Sequence, residues 1–90
     1  MAIEVRIPTI LRTYTDGQKA VEGNGDTLAE LFADLETRHP GVQARIVDGG
    51  ELRRFVNVYV GNDDVRFLDN LKTPTPDGTQ ISVIPAVAGG

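Results

Sequence analysis

Only one stretch of this chain repeats its apolar residues at helical spacing, and that single stripe limits the folds open to it. Leu28, Leu31, Phe32 and Leu35 recur at i, i+3, i+4 and i+7, while Ala29, Glu30, Asp34 and Glu36 fall mostly on the wet side. Thr27 followed three residues later by Glu30 forms a capping box, and Pro40-Gly41 stops the helix near His39. A lone apolar helical stripe has to be covered, and one face of a sheet is the economical cover.

The remaining sequence supplies the strands. Ile3-Glu4-Val5-Arg6-Ile7 alternates apolar and polar and is ended by Pro8. Thr9 to Gly17 is a loop longer than a tight hairpin needs, with a turn at Asp16-Gly17, and Gln18-Lys19-Ala20-Val21-Glu22 is a second, antiparallel strand. From Gly41 to Arg54 the pattern is irregular: Val42, Ala44, Ile46 and Val47 are candidates to pack, and Asp48-Gly49-Gly50 is a loop. Residues 55–60 (FVNVYV) are rich in β-branched and aromatic side chains and form a strand. Gly61-Asn62-Asp63-Asp64 turns the chain, Val65-Arg66-Phe67 reads as a short return strand, and Leu68 and Leu71 are expected to pack before the turn Thr75-Pro76-Asp77-Gly78. Gln80-Ile81-Ser82-Val83-Ile84 is the last strand. The order is strand, strand, helix, further strands, within 90 residues that hold no repeat and no linker. It predicts an α+β chain of the β-grasp, ubiquitin-like type, a mixed sheet of about four to five strands with one main helix packed on one face. Residues 1–84 form that domain and residues 85–90 a flexible tail.

Length and composition exclude several functions. A chain of 90 residues buries only about 60–65% of its unfolded surface, which weighs against an enzyme with an enclosed active site. The net charge is -4 and charges of both signs are scattered, so no basic stripe exists for nucleic acid. No apolar run approaches the roughly 20 residues of a membrane span, and Met1-Ala2-Ile3-Glu4-Val5-Arg6 lacks the pattern of a signal peptide. There is no cysteine and one histidine, His39, so thiolate and multi-histidine metal sites are excluded and a cytoplasmic protein is expected.

The anomaly lies at the end. After Asp77 no charged side chain occurs in the thirteen residues to Gly90, and the sequence closes on Pro85-Ala86-Val87-Ala88-Gly89-Gly90. Solvated tails are usually polar, so an apolar, small-residue terminus implies a segment built to lie in another protein's groove. Gly89-Gly90 lacks Cβ atoms and can pass through a channel as narrow as a backbone. Pro85 removes an amide donor and stiffens the exit from the sheet, and Val87 offers one apolar knob. A terminal carboxyl group ionises near about 3.3–3.7 and is a poor electrophile at neutral pH. Adenylation by ATP makes it an acyl donor, and a sulfur nucleophile that displaces AMP leaves a thiocarboxylate. The chain has no Walker-type phosphate loop, so the activating enzyme is a separate protein. With no cysteine, no internal thiol intercepts the activated acyl group.

The segment from Asp77 to Gly90, together with the helix opening Gly25-Asp26-Thr27-Leu28-Ala29-Glu30-Leu31, resembles the ubiquitin-like sulfur carriers. That family includes the small subunit of molybdopterin synthase and the thiamin-pathway carrier. Ile7-Pro8-Thr9-Ile10-Leu11-Arg12 and residues 54–60 (RFVNVYV) are most similar to the actinobacterial carriers of cysteine biosynthesis. The resemblance spans essentially the whole chain. It implies a carrier with no bound cofactor whose Gly90 is loaded by an E1-like adenylyltransferase and sulfurtransferase. It further implies a PLP-dependent cysteine synthase that uses O-phosphoserine, and a JAMM-type zinc protease that releases the amide-linked cysteine after an acyl shift. Molybdopterin, thiamin, thiosugar or other natural-product synthesis could take the sulfur instead. Thr79 departs from the pattern, since relatives often have an acidic residue after Asp-Gly, and it affects only a turn.

Gly90 is therefore the expected chemical site and Gly89 its steric partner, with Ala88, Val87, Ala86 and Pro85 as the docking stalk. Ile84 fits either the core or the surface beside the tail. His39 reads as a helix C-terminal residue favoured by the dipole. Asp63 and Asp64 read as turn residues with too few oxygen ligands near them for a metal. Arg53-Arg54 fits either a solvated strand edge or a group that steers an acidic partner. Two rival readings remain: a ubiquitin-like modifier whose Gly90 ends in an isopeptide bond to lysine, and an interaction module with an incidental Gly-Gly end.

Overall fold

The computed structural model describes residues 3–54 and 56–85. In chain order these form β1 (Ile3–Arg6), a 3-10 helix (Thr9–Thr15), β2 (Ala20–Gly23), α1 (Leu28–Arg38), α2 (Gln43–Ile46), β3 (Val47–Asp48) and β4 (Glu51–Leu52). There follow β5 (Val56–Val60), β6 (Asp63–Asp64), two 3-10 turns (Val65–Phe67 and Asn70–Lys72) and β7 (Gln80–Pro85). Five strands share one sheet in the order β2-β1-β7-β5-β6, and β3-β4 is a separate two-stranded ribbon. β1 and β7 run parallel at the centre, and the other neighbours are antiparallel. This is the expected mixed sheet, with α1 across one face.

The helix begins as its sequence dictates, with one difference. The Thr27 hydroxyl accepts from the Glu30 amide at 3.4 Å, but the Glu30 carboxylate accepts from the amide of Asp26 at 3.2 Å, one residue outside the usual box. The first helical amide, that of Leu28, donates to the carbonyl of Thr73 at 3.1 Å. Thr75 returns the tie: its amide donates to Asp26 and its hydroxyl, at 2.8 Å, to the Gly25 carbonyl. The start of α1 is thus fastened to the segment that leads into β7, and these bonds satisfy groups that helix ends leave open. At the other end the Glu36 carboxylate accepts from the amides of Gly41, at 2.9 Å, and Gln43, at 3.0 Å. Gly41 adopts φ +99, and a Cβ there would meet the Tyr14 ring at 2.9 Å.

Alternation on the strands places one row inward. Ile3, Val5, Val21, Val58, Ile81 and Val83 are buried, and Leu28, Leu31, Phe32 and Leu35 of α1 close over them. Ile7, Leu11, Val42, Ile46 and Val65 complete the core, with Leu71 partly buried against it.

Several local expectations are corrected. Thr9 to Gly17 is not a plain loop, because Leu11 and Thr15 are buried there as part of a 3-10 helix. Ala44 is exposed, since the short α2 turns only Val42 and Ile46 inward. The return strand is Asp63–Asp64, so these are not only turn residues, and Val65–Phe67 coils into a 3-10 turn. The Asp64 carboxylate causes that switch by accepting from the Arg66 amide at 2.9 Å. Leu68 does not pack and is 45% exposed.

Phe32 is fully buried whereas the Thr27 cap lies at the rim. Phe32→Ala is therefore expected to lower unfolding free energy by about 3–5 kcal/mol. Thr27→Ala should lower it by about 0.5–1 kcal/mol. Urea denaturation followed by circular dichroism measures both, and similar losses would contradict the burial pattern.

Candidate functional site

The strand that ends the described chain is held unevenly. β1 pairs with β7 only as far as Ser82, whereas β5 pairs with it through Pro85, opposite Val56. Pro85 thus forms the end of β7 and lacks an amide hydrogen to donate. Alternation sets Val83 inward at 3% exposure and Ile84 outward at 47%, which places Ile84 on the open face of the sheet. Beside it, opposite in register, stands Asn57, whose Oδ1 accepts from the Arg66 guanidinium at 2.7 Å. The same guanidinium donates to the carbonyl of Arg53 at 2.8 Å. Arg66 therefore ties the segment before β5 to the outer face next to the end of β7.

On the inner side the end of β7 borders a groove of about 320 Å³. Its floor is apolar, made by Pro8 and Leu11 from one side and Val56, Val83 and Pro85 from the other. Ile10 lines it while 63% exposed, and Arg45, Arg53, Arg54 and Asp48 supply its polar rim. The 3-10 helix after Pro8 carries Ile10 and Leu11 to this position. Gly49 and Gly50, at φ +63 and +83, fold β3 back on β4, and Arg45 and Arg53 flank that ribbon in sequence.

Of the residues expected to act, the structure describes Pro85 alone. Ala86, Val87, Ala88, Gly89 and Gly90 lie outside the described residues. His39 is the C-terminal cap of α1, and its amide donates to the Leu35 carbonyl at 2.7 Å. Arg53 and Arg54 are exposed and belong to the groove. No group of three or more His, Cys, Asp or Glu side chains able to hold a metal occurs among the described residues. No described helix is long and apolar enough to cross a membrane. The sequence did not reveal the groove. Its one trace was the length of Thr9 to Gly17, too long for a tight hairpin.

Comparisons with known proteins agree with this architecture. The model of the ThiS family matches residues 5–90. The sulfur carrier protein CysO of Mycobacterium tuberculosis is 48% identical over 93 aligned residues, covering 100% of both chains. Small archaeal modifier protein 3 of Haloferax volcanii is 33% identical over 93 aligned residues, again covering 100% of both. Among solved structures, a chain in the crystal structure of the Amycolatopsis orientalis BexX/CysO complex superposes with a TM-score of 0.95 at 50% identity. That match covers 99% of this chain and 100% of the other.

Opposite placement of two neighbouring residues gives a direct check on the base of the site. Val83→Ala is expected to lower stability by about 2 kcal/mol, since it removes buried methyl groups. Ile84→Ser should change it by less than about 0.5 kcal/mol, as an exposed substitution does. Thermal or urea unfolding of the two variants decides, and a large loss for Ile84→Ser would return that side chain to the core.

Proposed function

The chain belongs to the ThiS family and is a sulfur carrier protein, and from that premise we propose that the carboxylate of Gly90 is the group that is activated and loaded. Full-length identity of 48% with the CysO sulfur carrier carries this reading. The Gly89-Gly90 end and its uncharged approach from Gly78 support it.

The chemistry follows from the weakness of a carboxylate as an electrophile. Its oxygen attacks the α-phosphorus of ATP on a separate, E1-like adenylyltransferase, and pyrophosphate leaves. A sulfur nucleophile then attacks the acyl carbon of the adenylate and AMP departs. The product is a thiocarboxylate, in which one oxygen has become sulfur. Gly89 and Gly90 let that end enter a passage with the width of a backbone. Ala88, Val87, Ala86 and Pro85 act as the stalk that the enzyme grips, and the domain that precedes them is the handle. The carrier is thus a protein substrate, and both ATP and the sulfur source are bound by the activating enzyme.

The sulfur acceptor we favour is a PLP-dependent synthase that makes cysteine from O-phosphoserine, followed by release through a JAMM-type zinc protease. Similarity to CysO supports that choice. The 50% identity to a CysO chain solved with BexX supports docking onto a further protein partner as well. A conjugating role has one observation in its favour, the 33% identity to small archaeal modifier protein 3 of Haloferax volcanii.

Incubation of the chain with ATP, sulfide and its activating enzyme, followed by intact-mass measurement, tests the reading. The expected product is heavier by the exchange of one oxygen for sulfur. Deletion of Gly90, or addition of one bulky residue after it, should abolish that product while leaving the fold intact by circular dichroism. Normal loading of either variant would exclude Gly90 as the reactive end, and high-mass lysine adducts would favour the modifier.

A further inference from the structure

The groove beside the end of β7 combines an apolar floor with an arginine rim. We propose that it is a docking site for an extended acidic segment of the activating enzyme, one that pairs at least one carboxylate with an apolar side chain. The proposal rests on the carrier reading given above and identifies how that enzyme recognises the domain.

Charge is the first support. The chain as a whole carries -4, yet three arginines and one aspartate, Asp48, meet at this groove. None of the three arginines has a carboxylate within ion-pair distance among the described residues. Two of them are nevertheless fixed. The Arg45 Nε donates to the Tyr14 hydroxyl at 2.8 Å, and its guanidinium lies 5.5 Å from the centre of that ring. The Arg53 Nε donates to the carbonyl of Ala44 at 2.7 Å. Both bonds orient a guanidinium through a neutral acceptor and leave its charge uncompensated, with further N–H groups free to grip a carboxylate in the two-pronged manner of arginine.

Position is the second support. Pro85 belongs both to the floor of the groove and to the root of the final five residues, which span at most about 17 Å when extended. An enzyme that holds Gly90 in its active site must therefore press against this part of the domain. Ile10, exposed on the lip, gives such a partner an apolar anchor next to the charged rim. A positive patch on an otherwise acidic protein also speeds encounter with an acidic surface and turns the carrier toward it.

Steady-state loading with the purified activating enzyme separates this site from the chemistry at Gly90. The double reversal Arg53→Glu/Arg54→Glu is expected to raise the KM for carrier by about tenfold or more, as loss of close charge pairs does, with kcat within about twofold of wild type. Ile10→Ser should raise KM by a smaller factor, and added salt should raise the wild-type KM more steeply than that of the double variant. A control, Arg38→Glu/Lys72→Glu, changes net charge equally at positions away from the groove and should leave KM near wild type. Circular dichroism confirms that each variant is folded. An unchanged KM in the arginine variant, or an equal rise in the control, overturns the proposal. A fall in KM would show that the groove holds the chain's own final segment, which also overturns it. If wild type gains no sulfur at any concentration, the carrier reading itself fails, which is a distinct result from a variant that loads normally.

Discussion

Packing of the α1 stripe onto the central strands is the contact on which everything else here depends. Leu28, Leu31, Phe32 and Leu35 have almost no exposed surface, and the inward residues of β1 and β7 beneath them have almost none either. Parallel neighbours such as β1 and β7 cannot be joined by a tight turn, so the intervening chain must travel round and be brought back in register. The return is fixed near its end by the bonds between the start of α1 and Thr73 and Thr75. Thr73 and Thr75 are buried polar residues whose hydroxyls are satisfied, that of Thr73 by accepting from the Asp69 amide and that of Thr75 by donating to the Gly25 carbonyl. One set of interactions thus places the helix and aligns the strand that precedes the final five residues.

That arrangement gives the end of β7 two different sides. Its inner side continues the core and then opens into the groove, while its outer side presents Ile84 beside Asn57 and Arg66. The change occurs where β1 stops pairing and only β5 holds the strand. A domain that hands its last residue to another protein, as proposed, would need a rigid root for the exit, and antiparallel pairing through Pro85 supplies one without pairing β7 on both flanks there.

Elements whose cause was local were legible in the sequence. The α1 helix carries its own cap, its own periodicity and its own stop, and the alternation in β1 survives unchanged in the burial pattern. Elements decided by distant contacts were hidden, and so was one decided by a local side chain that competes for a backbone amide. Leu11 and Thr15 offer no periodic signal, and the 3-10 helix that contains them packs Tyr14 against Gly41, far along the chain. Val65-Arg66-Phe67 looks like a strand by composition, but the Asp64 side chain competes for the Arg66 amide, and Phe67 is left 87% exposed. For the proposed site, the Gly89-Gly90 end and the uncharged residues before it stand out in the sequence because they are contiguous. The groove was not, because Ile10, Arg45, Arg53 and Val83 meet only after folding.

On the two proposals, chemistry and recognition are carried by different kinds of sequence. The carboxylate proposed to react belongs to glycine, which has no side chain for a partner to recognise, so on that proposal the carrier is identified from the folded domain at its root. Small size makes this demanding, since most core positions are already committed to holding the sheet and helix together. The arginines of the rim meet the demand at little structural cost. All three are exposed, and Arg45 and Arg53 are oriented through neutral oxygens rather than through carboxylates of the described chain, so their charge stays available to a partner. An ion pair within the domain would have contributed little stability at such an exposed position and would have cancelled that charge. That these cations have no carboxylate partner among the described residues is thus the arrangement expected of the docking surface proposed here.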